Sequence, residues 1–364
     1  MSARRVKGEV RIVGSGLLGA SIGLGLRQGG VDVALHDASP TALSLAVDYG
    51  AGRPAAEGDD PALVVVAVPP DLTARVVAEE LAAHPAALVV DVASVKAAPL
   101  AELAAAAGAD LARYIGTHPL AGRERGGAIS ARADLFVGRP WVITAREGAD
   151  PARLGLVEDL VLDLGAVPVE MSPEEHDRSV ALTSHVPQVV ASLLAKRLIG
   201  APDSAVALAG QGLRDTVRIA SSSPELWVQI LEANAPAVAE VLAGFRGDLD
   251  ALLALLADPG AAGSRRGIAE ALEAGNRGVA RIPGKHGQNR RFSQVVVMVD
   301  DRPGELARLL SEVGQIGVNL EDLRLEHSPG APIGLAELSV LPEAEPGLIA
   351  DLESRGWRIA GAWA

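Results

Sequence analysis

Short runs rich in apolar, often β-branched residues recur through the first 170 positions: 10–13, 31–35, 63–68, 88–92, 141–144 and 167–169. Ala- and Leu-rich stretches with helical spacing separate them. Strands that are apolar on both faces and alternate with helices predict a parallel sheet covered on both sides, an α/β domain over residues 1–170. The pattern changes at Ser172-Pro173-Glu174-Glu175, a capping box with proline at the first helical position. From there to about Asn276 only helical periodicity is found, with a second start at Ser223-Pro224-Glu225, so residues 171–282 predict an all-α domain. A polar stretch rich in Gly and Arg, 283–291, reads as a linker. Residues 292–364 return to strands (292–299, 319–326, 334–341, 357–360) interleaved with two helices, and the order βαββαβ predicts a ferredoxin-like unit.

At 364 residues and 49% hydrophobic, the chain can fill more than one core, and with only 2% aromatics Ala, Leu and Val must fill them. A net charge of −13 without any basic run argues against nucleic acid as a partner. Cysteine is absent, which excludes disulfides, thiol catalysis and cysteine-ligated zinc and fits a cytoplasmic setting. Arg4, Arg5 and Lys7 ahead of the apolar stretch 12–26 mimic a leader. That stretch is punctuated by glycine, closed by Arg27 and too short to span a bilayer, so it reads as the start of a folded domain, and no membrane segment is expected. His176 and His185 lie nine residues apart. On an uninterrupted helix that is about 900° of rotation, opposite faces, so no metal site is expected.

Candidate chemistry begins at Gly14-Ser15-Gly16-Leu17-Leu18-Gly19, which follows a strand and opens a helix. Its glycines permit a tight turn and close backbone approach to a pyrophosphate, and the helix start offers unpaired N–H groups. Asp37, eighteen residues beyond Gly19, can accept from both ribose hydroxyls and would repel a 2′-phosphate, which favours NAD over NADP. Val68 and Pro69 close a later strand where the nicotinamide half would lie. Ser94 and Lys96 follow the next strand. They read equally well as site residues or as a helix cap and a solvated lysine.

His118 is delivered by a strand-like approach just as Pro119 interrupts pairing. An imidazole there can take a proton from a hydroxyl whose carbon gives up hydride. Arg214 and Arg218, four apart, can share one helix face and meet an anionic substrate, or simply be solvated.

Taken in order, GSGLLG with Asp37, DVASVK, GTHPLAGRE, SPEEHDRSVALTSHVP and GLRDTVRIASSSPELW resemble the prephenate/arogenate dehydrogenase family over nearly the whole chain. The tail, with DRPGELARLL and GVNLEDL, resembles an ACT domain, a module that commonly binds amino-acid effectors. The resemblance implies NAD-dependent oxidative decarboxylation of prephenate to 4-hydroxyphenylpyruvate. It places the catalytic histidine on His118 and a serine hydrogen-bonded to it on Ser94. It puts the substrate-binding arginine on Arg218 and an acidic partner on Glu124, with His176 and Trp227 near the substrate pocket. It also implies a homodimer through the helical domain. Where some members carry a second histidine, this chain has Gln188, which cannot become cationic near neutral pH and bears on contacts to the substrate side chain.

Alternatives remain at this level. Arogenate, which has an amine where prephenate has a keto group, is the nearest. A β-hydroxyacid or imino-acid dehydrogenase would share GSGLLG but would not call for the later stretches. A non-enzymatic amino-acid sensor would work through the tail, with backbone N–H groups after Gly304 and the side chain of Asn319 as contacts.

Overall fold

The structure, a computed structural model, describes residues 4–106, 110–122, 126–146, 148–282, 292–327 and 333–363. The apolar runs form β1 (Val10–Val13), β2 (Val33–His36), β4 (Leu63–Val66), β5 (Leu88–Asp91), β7 (Pro140–Thr144) and β8 (Val167–Glu170), and the sheet also holds β6 (Tyr114–Pro119), the strand-like approach to His118, and a short β3 (Arg53–Pro54) outside those runs. They line up as β3-β2-β1-β4-β5-β6-β7-β8. Alternate residues of each strand feed different cores. Leu63 and Val65 pack with Ile12, Leu35 and Val90 on one face, while Val64 and Val66 pack with Val13, Val89 and Tyr114 on the other.

The expectation of a wholly parallel sheet is corrected at one pair: β7 runs antiparallel to β6, and β8 then runs parallel to β7. A strand buried on both faces carries the same apolar pattern in either direction, so the pattern alone does not reveal the reversal. Pro119 does not end the ladder either. It is the last residue of β6, opposite Trp141, and Leu120 still donates to the Pro140 carbonyl at 2.9 Å.

Two compact units divide the chain. The first holds the sheet and the helical segment to residue 200, together with residues 217–245. Its helices include Pro173–Val180, a π-helical turn Ala181–His185, Val186–Lys196 and Pro224–Ala233. Both anticipated caps are present: the Ser172 side chain accepts from Glu175 N–H and that of Ser223 from Leu226 N–H.

The second unit takes residues 201–216 and those from 246 on. It contains β9 (Ser293–Asp300), β10 (Asp322–His327), β11 (Ile333–Val340) and β12 (Arg358–Trp363), with helices Glu305–Ile316 and Glu345–Ser354. The strand order β10-β11-β9-β12, antiparallel throughout, is the βαββαβ arrangement expected. Val295, Val297, Leu309, Leu338, Leu348 and Trp357 lie in its core. Residues 283–291, read as a linker, lie outside the described residues. Among the described residues no helix is long and apolar enough to cross a membrane.

Candidate active site

β6 carries His118 past its neighbour. Its parallel pairing with β5 ends at Asp91↔Gly116, while β7 holds it further through His118↔Val142. His118 thus lies beyond the carboxyl end of β5, where open α/β sheets bind ligands, and it stays partly exposed.

Beneath it is a fully buried polar cluster. The Lys96 ammonium contacts the Asp91 carboxylate and donates to the Thr117 carbonyl at 2.6 Å. Asp91 also accepts from Tyr114 O–H at 2.7 Å and Ala93 N–H at 2.8 Å, while Thr117 O–H donates to the Asp91 carbonyl at 2.6 Å. Burial lowers the Lys96 pKa, and the neighbouring Asp91 carboxylate works in the opposite direction. Gly116 fits because a Cβ there would stand 2.7 Å from Thr144 Oγ1 and 3.3 Å from Lys96 Cδ. The solvated-lysine reading of Lys96 is therefore wrong. Ser94 does not cap the following helix, Ala97–Ala105, whose N-cap residue is Lys96 and which has no side-chain cap.

His118 does not turn to Ser94. Its Nδ1 lies 2.8 Å from His176 Nε2, and among the described residues Ser94 makes no hydrogen bond. His176, fully buried, has its Nδ1 2.7 Å from Asp177 Oδ1. Asp177 also accepts from the backbone N–H groups of Lys96 and Ala97, each at 2.9 Å. Burial acts to raise the Asp177 pKa, but the His176 bond and these two amides outweigh it, so the group sits below the ordinary carboxylate value. An ionised Asp177 requires the His176 proton on Nδ1. With both rings neutral, His176 Nε2 is then an acceptor, His118 must donate from Nδ1, and His118 Nε2 is left bare. Burial, with the nearby His176, Lys96 and His185, holds the His118 pKa well below 6.5.

The π turn overturns the opposite-faces reading of His176 and His185. Its extra residue takes back about 100° of rotation, so His185 comes round toward the same side. Asn234 Nδ2 donates to the Asp177 carbonyl at 2.8 Å and lies 3.1 Å from His185 Nδ1. His185 meets Trp227 edge-on, ring centroids 6.0 Å apart, and burial pushes its pKa down to about 4. Gln188, also buried, donates from Nε2 to Ser222 Oγ at 2.7 Å.

The glycine turn is built for close approach. Gly14 has φ +98°, and a Cβ there would stand 2.4 Å from the Ala67 carbonyl oxygen. At Gly19 a Cβ would stand 1.9 Å from the Gly14 oxygen, whereas Gly16 faces open space. Gly16 is the N-terminal cap of helix Leu17–Gln28, with Leu17 and Leu18 in its first turn. Asp37 accepts from Ser15 N–H and O–H, both at 2.7 Å, and from Ser39 N–H at 2.8 Å. Burial tends to raise its pKa, but these bonds hold it lowered. Half-buried Val68 and exposed Pro69 lead into helix Pro70–Ala83. An open glycine cradle and an ionised carboxylate at the end of β2 fit a dinucleotide without a 2′-phosphate.

The remaining expected residues are less gathered. The helix bearing Arg214 ends at Val217, and Arg218, exposed, opens a 3₁₀ turn, so the two do not share one continuous α-helix. Arg214 falls in the second unit and Arg218 in the first. Glu124 lies outside the described residues. In the second unit Gly304, at φ +94°, precedes helix Glu305–Ile316, and Asn319 donates to Glu321 Oε1 at 2.9 Å. Sequence reasoning missed Asp177, Asn234, Ser222 and the Asp91–Lys96 pair. The adjacency of Asp177 to His176 was the available signal for the first.

A glycine-turn crevice, a strand-end histidine and an attached helical bundle define a class, the dinucleotide-dependent dehydrogenases. Residues 22–170 match the prephenate dehydrogenase nucleotide-binding domain and residues 172–270 its dimerization domain. A probable prephenate dehydrogenase of Streptomyces niveus, NovF, is 39% identical over 95% of this chain and 98% of its own. The crystal structure of Aquifex aeolicus prephenate dehydrogenase with hydroxyphenyl propionate and NAD+ superposes with a TM-score of 0.68 at 28% identity, covering 76% of this chain and 98% of that one. Synechocystis arogenate dehydrogenase gives 0.60 at 28%, covering 74% and 99%. The chain belongs to the prephenate dehydrogenase family.

Proposed function

We propose that this chain catalyses NAD-dependent oxidative decarboxylation of prephenate to 4-hydroxyphenylpyruvate. The observation that carries the reading is the bare Nε2 of His118, fixed by the Asp177–His176 pair at the mouth of a dinucleotide crevice. Bound NAD supplies the hydride acceptor for C4 of the substrate ring. His118 Nε2 takes the C4 hydroxyl proton, and carbon dioxide leaves from C1 as the ring becomes aromatic. The proton charge that arrives on His118 is shared along Nδ1–H to His176 and stabilised by Asp177. Gly14, Gly16, Leu17, Leu18, Gly19, Asp37, Val68 and Pro69 form the cofactor side, with Ser94 between cofactor and substrate. Arg218, with Glu124 as its acidic partner, serves the substrate's anionic end, and Gln188 and Trp227 its side chain. The protein works as a cytoplasmic homodimer joined through the helical domain, and the tail is an ACT-like unit for an amino-acid effector.

Arogenate is the second reading. Its ammonium needs an acceptor, and Gln188 Oε1 is one, since Nε2 is engaged by Ser222. Following NAD and NADP reduction with prephenate and with arogenate separates the two. His118→Asn is expected to cut turnover by about 10²–10⁴ with NAD affinity kept. Unchanged turnover would remove the proposed base.

A further inference from the structure

We propose that Lys96 is the positioning residue for the base, holding His118 by its backbone and by its ring together. The proposal rests on His118 acting as that base. The side chain of Lys96 donates to the carbonyl of Thr117, the residue immediately before His118. Its backbone N–H donates to Asp177, which orients His176, which in turn meets His118 Nδ1. One residue therefore anchors both ends of a short closed circuit, and nothing solvent-exposed takes part in the anchoring.

The buried pairing with Asp91 explains why a lysine can stay there. Asp91 is fixed in turn by Tyr114 and by Ala93 N–H, so the ammonium has a carboxylate and a carbonyl as acceptors in a site without water access. A fixed positive charge at this point also makes protonation of His118 less favourable, in the same sense as its burial. Among the described residues, the titratable and charged groups around His118 are His176 and Asp177 from helix Pro173–Val180, His185 from the π turn, Asp91 at the end of β5 and Lys96 at the cap of the helix that follows it. Among the described residues only Lys96 touches both the backbone path and the ring path.

The test is the double variant Lys96→Met/Asp91→Asn, which removes both buried charges at nearly constant volume, with His118→Asn alongside it. Histidine 13C NMR titration and the pH profile of kcat/KM are read on the full-length protein. The expected result is a fall in kcat of about tenfold or more, together with a rise of the His118 midpoint and of the acid limb toward the ordinary imidazole value of about 6.5. Unchanged turnover with an unmoved His118 midpoint overturns the proposal. So does a lower kcat with an unmoved midpoint, which would mark Lys96 as packing alone. If His118→Asn itself keeps full turnover, the base assignment fails, while the NMR midpoint still reports whether Lys96 governs the ring. Should the double variant not fold, the Lys96 ammonium is followed by 15N NMR in the unaltered protein. Its signal must shift as His118 titrates, and a signal indifferent to that titration overturns the proposal.

Discussion

Which nitrogen of His118 is bare depends on residues two hydrogen bonds away. Asp177 accepts three N–H donors on two oxygens: Lys96 N and His176 Nδ1 on one, Ala97 N on the other. An amide in its place cannot satisfy all three. One orientation sets its NH2 against Ala97 N–H, and the other sets it against Lys96 N–H and His176, reversing the imidazole tautomers. Asp177→Asn should therefore lower kcat by roughly 10²–10⁴ while leaving NAD affinity intact. Steady-state kinetics beside NAD titration by fluorescence check this, and an unaffected kcat would sever Asp177 from the base. At this scale the sequence was readable wherever a residue type is tied to a backbone device. Gly14 and Gly19 stand at a turn whose close approaches exclude a Cβ, and Asp37 accepts from the same turn. Lys96 and Asp177 were opaque for a physical reason: linear sequence does not distinguish a buried charge with its partner from a solvated one.

Between residue and fold lies the π turn, Ala181–His185. It brings His185 to Asn234, where burial holds the imidazole neutral with a pKa of about 4, against about 6.5 in the unfolded chain. The unfolded state binds more protons between those values, so stability rises with pH across that window and is lost as pH falls from 6.5 to 4. The full effect is on the order of 3 kcal/mol. Urea unfolding between pH 7 and pH 4.5 should show the loss, and His185→Gln should flatten it. An equal slope in both proteins would assign the loss to other groups. Helix starts were legible because Ser172 and Ser223 are caps with chemical signatures. The π turn was not, because its hydrogen bonds leave no mark on the apolar period. The reversal of β7 was hidden for the same kind of reason, since Trp141–Thr144 are as buried as the residues of the parallel strands β4 and β5.

For the molecule as a whole, the tail sheet has its own core around Leu309, Leu338 and Trp357, so it can carry a ligand site without borrowing from the first unit. If it is an effector module, calorimetry on the full chain should detect tyrosine or phenylalanine, and Asn319→Ala should weaken the binding. Absence of heat with both would leave the tail an architectural part. The alternation of apolar runs foretold the order of sheet, helices and second sheet, because each architecture imposes its own period on the chain, but not that the two compact units split the helical segment between them. The π turn has a hereditary consequence besides. A helix carrying one residue too many stands a single codon away from an ordinary one. Losing the triplet for exposed Leu182 would let the coil rewind and swing everything downstream by about 100°. After such an event the Asn234 amide could serve Asp177 or His185 but not both, so this stretch of the gene should tolerate substitution far better than a change in length.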